Sequence, residues 1–194
     1  MIELYLFVDP TCSDCAESER TIARLSKQLP CKTSYRIIPI MNLSVISGNK
    51  EAHSQLLPYK LILDYKAALF QGAKKGRKFL FALQRDILEK NMTYCDSLVY
   101  NIAKQVKLDM DMFKEDRRSK LTESTFKSDQ KMISEMNISN HGNLVIFDCD
   151  SADNGLLIDK VDYHELFEIC SHIIQKESQE LDDKIKQTSN LRVL

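Results

Sequence analysis

The chain opens with IELYLFVD, Ile2 to Asp9, where apolar and aromatic residues follow one another almost without interruption. That is the pattern of a strand covered on both faces. From Cys12 the period lengthens. Cys15, Ile22, Leu25 and Leu29 recur at helical spacing, Glu17, Arg20, Arg24 and Lys27 fall between them, and Pro30 ends the run, so a helix is predicted. TSYRIIPI, Thr33 to Ile40, is β-branched and aromatic and predicts a second strand that returns parallel to the first through a right-handed crossover.

From Glu51 to Ile138 no segment has strand character. Helical periodicity appears in Pro58 to Phe70 (Leu61, Ile62, Tyr65, Leu69), in Phe79 to Leu88 (Phe79, Leu80, Leu83, Ile87) and in Leu98 to Val106 (Leu98, Ile102, Val106). A structureless connection of that length is rare in a compact domain, so this stretch is a helical block. Strands resume at NLVIFD, Asn143 to Asp148, and at LLIDK. Between them lies the turn-rich CDSADNG, whose Asn154 and Gly155 favour an antiparallel hairpin. Asp162 with Glu165 three residues on opens a last helix, with Leu166, Ile169, Cys170, Ile173 and Ile174 as its apolar stripe. Beyond Lys176 the chain is mostly charged and reads as a solvated helix with room for a dimer contact, although nothing in the pattern sets an oligomeric state.

The order β, α, β, helical block, β, β, α fits an α/β fold: a four-stranded mixed sheet with helices on its faces and a large all-helical insertion between the second and third strands. The boundaries expected are 1–50 and 139–194 for the two parts of the sheet domain and 51–138 for the insertion.

Composition narrows the function classes. With 43% hydrophobic and 28% charged residues in 194, the chain can bury a real core, roughly 70% of its unfolded surface, without a disulfide staple or structural metal. A net charge of −1 supplies no general attraction to nucleic acid or anionic lipid. The one basic cluster, KKGRK at Lys74 to Lys78, reads as a solvated loop and helix start. No apolar run reaches the roughly 18 to 20 residues of a membrane span, and nothing after Met1 has the form of an export signal. Cytoplasmic localisation is therefore expected, with the thiols reduced. Of the six cysteines, Cys31, Cys95, Cys149 and Cys170 are scattered singly and read as small core or surface residues.

Cys12 and Cys15 are different, because DPTCSDC places them where a strand gives way to a helix. Unpaired backbone N–H groups and the positive helix end favour a thiolate at Cys12, making it the nucleophile. Cys15, one turn further in, is placed to resolve a mixed disulfide. Asp14 lies within a turn of Cys12 and opposes thiolate formation, so a less oxidising pair is expected. Zinc is the rival reading, but no second CxxC or CxxH accompanies the first, and Cys170 and His172 are too close in sequence to face one way together. No metal or other cofactor is expected. A non-reactive pair on an altered scaffold is the third reading. His53, His164 and His172 have no partner pattern and read as surface or helix-face residues.

Strand, DPTCSDC, helix, strand, insertion and then MISEMNISNHGNLVIFD resemble, over about residues 2 to 176, the DsbA family of thioredoxin-fold proteins. Among them the chain looks most like the cytosolic FrnE-like branch that includes the YjbH (SpxH) adaptors of Firmicutes. KAALFQGAKKGRKFLFALQRDILEKN and AKQVKLDMDMFKEDRRS are similar to that family's helical subdomain. The resemblance implies a thioredoxin-like, DsbA-like fold and two possible roles. One is a thiol-disulfide oxidoreductase or dithiol-disulfide isomerase, weak or redox-sensing, acting on a protein thiol or disulfide through Cys12 and Cys15. The other is an adaptor that binds a Spx-like regulator and delivers it to the ClpXP protease through the thioredoxin face or the helical insertion, where apolar residues such as Phe79, Phe81 and Phe113 are candidate contacts, although most of these read as core.

One departure bears on both roles. The family usually carries a cis-proline before the third strand, facing the cysteines, and here Gly142 occupies that position. A non-proline cis bond costs about 2.5 to 4 kcal/mol, so a trans peptide is expected, with substrate docking and metal exclusion at the cysteines both weakened. His141 immediately precedes the glycine. It is either a loop histidine facing solvent or a neighbour of Cys12 that, protonated, lowers its thiol pKa.

Overall fold

The computed structural model describes residues 1–41, 56–148 and 155–175. His53, Cys149, Asn154 and the charged tail from Lys176 lie outside the described residues.

Four strands form one sheet in the order β2-β1-β3-β4: β1 Ile2–Val8, β2 Thr33–Pro39, β3 Leu144–Asp148 and β4 Leu156–Ile158. Backbone bonds from Ile2 N to Lys32 O (3.2 Å) and from Ile40 N to Val8 O (2.8 Å) tie start to start and end to end, so β1 and β2 run the same way. β3 is antiparallel to β1, with Leu4 opposite Ile146 and Leu6 opposite Leu144, and β4 is antiparallel to β3. The sheet is therefore mixed, as the apolar pattern predicts. β1 alternates at its start, with Glu3 and Tyr5 half-buried, and is wholly buried from Leu6 to Val8.

Helix α1 spans Ser13–Gln28 and buries the expected face: Cys15, Ile22, Leu25 and Leu29. Between β2 and β3 come α2 Leu57–Leu69, α3 Ala73–Gln84 with a π-helical turn at Arg85–Glu89, α4 Asp96–Gln105, α5 Met110–Asp116 and α6 Lys120–Glu135. Local chemistry sets their ends. Pro58 lies in the first turn of α2; Asp109 Oδ1 accepts from the N–H groups of Asp111 (3.1 Å) and Met112 (3.0 Å) to start α5; Ser119 Oγ accepts from Leu121 N (3.1 Å) to start α6. The basic cluster is helical throughout rather than a loop, because Lys74–Lys78 lie inside α3. A methyl group on Gly76 would come within 2.6 Å of the Leu69 side chain, so a glycine lets α3 approach the end of α2.

The chain groups into two compact units. One comprises Met1–Leu6, Ser18–Arg36 and the described residues from Asn143 onward. It contains helix α7, residues 163–175, whose start is capped by Asp162 Oδ1 accepting from His164 N (2.9 Å) and Glu165 N (3.0 Å). Leu166 and Cys170 of α7 are buried, and the Arg24 guanidinium lies 3.6 Å over the Tyr163 ring.

The other unit comprises Phe7–Glu17 and Ile37–Gly142, so it holds both cysteines of the pair together with the helices between β2 and β3. Its core is built on Leu61, Phe79, Leu83, Val99, Ile102 and Phe113, with the Phe79 and Phe113 rings edge to face at 5.3 Å. Within it, Tyr65 OH donates to Ile37 O (3.3 Å) and Gln130 Nε2 to Pro39 O (2.9 Å), fastening the end of β2 to α2 and α6. A polar cluster joins more distant segments: the buried Asp64 carboxylate accepts from Tyr94 OH (2.8 Å) and Arg117 Nε (2.5 Å), while Arg117 also reaches the exposed Asp96 (3.1 Å). Phe79 and Phe113 are fully buried and Phe81 is half-buried. Phe79 and Phe113 are therefore core residues of this unit and not surface contacts, the reading their apolar pattern favours.

Candidate functional site

At the end of β1 the chain makes a tight turn. Asp9 Oδ1 accepts from both Thr11 N (2.8 Å) and Thr11 Oγ1 (2.6 Å), and Asp9 O accepts from Cys12 N (3.1 Å). Cys12 O then accepts from Ala16 N (3.1 Å), the first bond of α1. Cys12 is thus the residue that opens α1, half-buried, with its sulfur beside the positive end of the helix. Asp14 lies in the first turn and is exposed.

One turn further, Cys15 is buried at 1% exposure. Burial pushes its thiol up to about 12, and the adjacent Cys12 adds to the shift against a backbone hydrogen bond at Asp9 that lowers it. Cys15 is consequently a protonated thiol at neutral pH. Its Sγ lies 3.3 Å from His141 Nδ1, so the loop histidine, although exposed, touches the pair through Cys15. The two sulfurs and a ring nitrogen of His141 all lie within 4.8 Å of one another.

The placement of His141 follows from backbone constraints on either side. Just past the C-cap of α6 at Met136, Asn137 takes φ 54° and Ile138 N donates back to Ile133 O (3.0 Å), a left-handed terminus that turns the chain away. Gly142 then takes φ 89°, a region that side-chain-bearing residues rarely adopt, and its N–H donates to Phe7 O at 2.7 Å. No peptide bond among the described residues is cis. A proline has no N–H to give, so the glycine ties the loop to β1 by a bond that a proline at this position cannot make.

Of the other cysteines, Cys170 is buried, which pushes its thiol up to about 11, and Cys31 is half-buried. Cys95 stands apart from the other single cysteines. It is exposed at the N-cap of α4, and a hydrogen bond from Ser97, with the backbone N–H groups of Leu98 and Ser97, holds its thiol below the usual range. The stretch CDSLVY, a small polar triplet ahead of an apolar period, marks that cap in the sequence. No helix among the described residues is long and apolar enough to cross a membrane.

Comparison with known proteins places these features in context. A family model described as thioredoxin matches residues 5–169. The ClpXP adapter protein SpxH of Bacillus subtilis is 28% identical, with 81% of this chain and 62% of the relative covered. The SpxH of Staphylococcus aureus is 31% identical, with 90% and 67% covered. The chain thus spans about two thirds of the length of these relatives. Among solved structures, the oxidoreductase DsbA of Xylella fastidiosa superposes with a TM-score of 0.64 at 14% identity, covering 92% of this chain and 87% of its own. The thiol-disulfide exchange protein alpha-DsbA2 of Wolbachia pipientis superposes with 0.59 at 18% identity, covering 89% and 81%. The fold is the thioredoxin-like, DsbA-type fold.

Proposed function

Because this chain belongs to the thioredoxin family, with a DsbA-like fold and SpxH-like relatives, we propose that it is a cytoplasmic adaptor that binds a Spx-like regulator and presents it to the ClpXP protease. The observation that carries the reading is the 31% identity over 90% of the chain to a relative named as a ClpXP adapter. The site geometry supports it. Binding a partner does not require the pair to turn over, and the Gly142 N–H is committed to Phe7 O where an oxidoreductase of this family presents a proline to its substrate. In this reading residues 51–138 are the partner-binding insertion between thioredoxin-like parts 1–50 and 139–194. Candidate contact residues on the helices are the exposed Phe70, Met112 and Leu121, in place of the buried Phe79 and Phe113.

The test is reconstituted degradation: ClpXP, a Spx-like regulator, ATP and this chain. Accelerated loss of the regulator, retained by a Cys12→Ser/Cys15→Ser double variant, is the expected result. A regulator that is neither bound nor degraded faster in the presence of the wild-type chain refutes the adaptor.

A second reading is favoured by the half-buried Cys12 at the start of α1 with Cys15 beside it. Here the Cys12 thiolate attacks a protein disulfide, forming a mixed disulfide and expelling one substrate thiolate. Cys15 passes its proton to His141 Nδ1 and attacks Cys12 Sγ, expelling the second thiolate; the substrate gains two electrons and the pair becomes a disulfide. Insulin reduction that disappears with Cys12→Ser supports it, and a wild-type rate equal to the uncatalysed background sinks it.

A further inference from the structure

We propose that Cys12, Cys15 and His141 form a mononuclear zinc(II) site with one coordination position open to water. The inference stands on the geometry of these residues and holds under either reading of the function. Sequence spacing offers no third ligand for a CxxC pair; the fold supplies one from the loop before β3. Tetrahedral zinc, with Zn–S about 2.3 Å and Zn–N about 2.0 to 2.1 Å, sets two sulfurs about 3.8 Å apart and a sulfur and a nitrogen about 3.6 Å apart. Here Cys15 Sγ and His141 Nδ1 are 3.3 Å apart, and all three ligand atoms lie within 4.8 Å of one another. Side-chain shifts of at most about 1 Å bring these separations to the tetrahedral values.

Chemistry selects the ion. Two thiolates and an imidazole are soft to borderline donors that suit zinc, whereas magnesium and calcium call for oxygen. Zinc entry releases two thiol protons, and the resulting unit of Zn²⁺ with two thiolates is neutral, which suits the burial of Cys15. His141 is exposed, so the open position faces solvent, the arrangement of three protein ligands plus water that open zinc sites adopt. The glycine makes the site possible: its φ of 89° and its bond to Phe7 O hold the preceding residue against the pair.

The experiment uses the reduced, metal-free full chain titrated with Co²⁺ and then Zn²⁺. One Co²⁺ per chain is expected, with tetrahedral d–d bands and a near-ultraviolet thiolate-to-metal band, both erased by one equivalent of Zn²⁺. His141→Ala is expected to weaken Zn²⁺ binding by at least the roughly 10- to 100-fold that loss of a supporting residue costs a zinc site. His141→Cys is expected to restore tight binding and strengthen the charge-transfer band, a gain that a merely structural role for His141 does not produce. Far-UV circular dichroism of each variant establishes that it is folded. The proposal is overturned by a wild-type chain that binds neither ion, by a folded His141→Ala chain with wild-type affinity, or by bands that persist in the Cys12→Ser/Cys15→Ser double variant.

Discussion

Replacing Arg117 with methionine removes the cation from the most deeply buried charge of the helical unit while keeping most of the side-chain volume. Asp64 is 2% exposed; its carboxylate has Arg117 Nε at 2.5 Å and Tyr94 OH at 2.8 Å. The second link of Arg117, to Asp96, runs to a side chain 72% exposed and is worth about 0 to 1 kcal/mol at most. Stripping the partner from a buried ion costs about 3 to 5 kcal/mol, so the expected loss at pH 7 is about 3 to 4 kcal/mol, with Tyr94 retaining part of the solvation. The pH dependence carries a sign. Burial raises the Asp64 carboxyl above its ordinary value, against the lowering by Arg117 and Tyr94, and loss of the cation raises it further. A group raised in the folded state contributes stability that is present below its unfolded pKa and lost as pH rises through the folded one. The Arg117→Met deficit should therefore be largest near neutrality and shrink as the solution is acidified toward the ordinary carboxylate range. Urea unfolding at several pH values measures this, and Asp64→Asn/Arg117→Met should recover much of the neutral-pH loss. A deficit below about 1 kcal/mol at pH 7, or one that does not change with pH, refutes the reasoning that Asp64 is a buried charge held by Arg117.

Three further outcomes follow from the same structure. Phe113→Ala should cost about 3 to 5 kcal/mol in urea unfolding, because its ring is fully buried against Phe79; a near-neutral change would return Phe113 to the surface. Gly142→Pro should destabilise the chain by at least about 1 to 3 kcal/mol, since it leaves Phe7 O without its donor and demands a φ near −65° where 89° is observed; an unchanged urea midpoint counts against the tie to β1. Alkylation of the reduced chain, mapped by mass spectrometry, should reach Cys95 before Cys15 and Cys170, because the first is exposed with a lowered pKa and the other two are buried with raised ones. Equal rates at Cys15 and Cys95 would contradict that order.

The elements were legible because their causes are local. The unbroken apolar run of β1, the helical face of α1 and the Asp162 cap are properties of consecutive residues, and they appear where the pattern puts them. Helices α5 and α6 were harder to read. Apart from Phe113, Thr122 and Ile133, they bury few residues, and a thin apolar stripe leaves little period to read. The chemistry of Cys12 and Cys15 was partly readable, since their position at a strand-to-helix junction places one sulfur at a helix end and the other a turn inside.

What sequence alone determined is thus the order of strands and helices and the location of the cysteine pair, because hydrophobic period and capping act over a few residues. Only the tertiary structure decided that His141 meets Cys15 across 126 positions, that Gly142 binds β1 through its own N–H, and that the Phe79 and Phe113 rings meet edge to face in one core. Those facts depend on the register that sets Leu6 opposite Leu144 and on the packing of helices far apart in the chain. Such contacts are fixed by the burial of whole faces at once, which no short stretch of residues encodes.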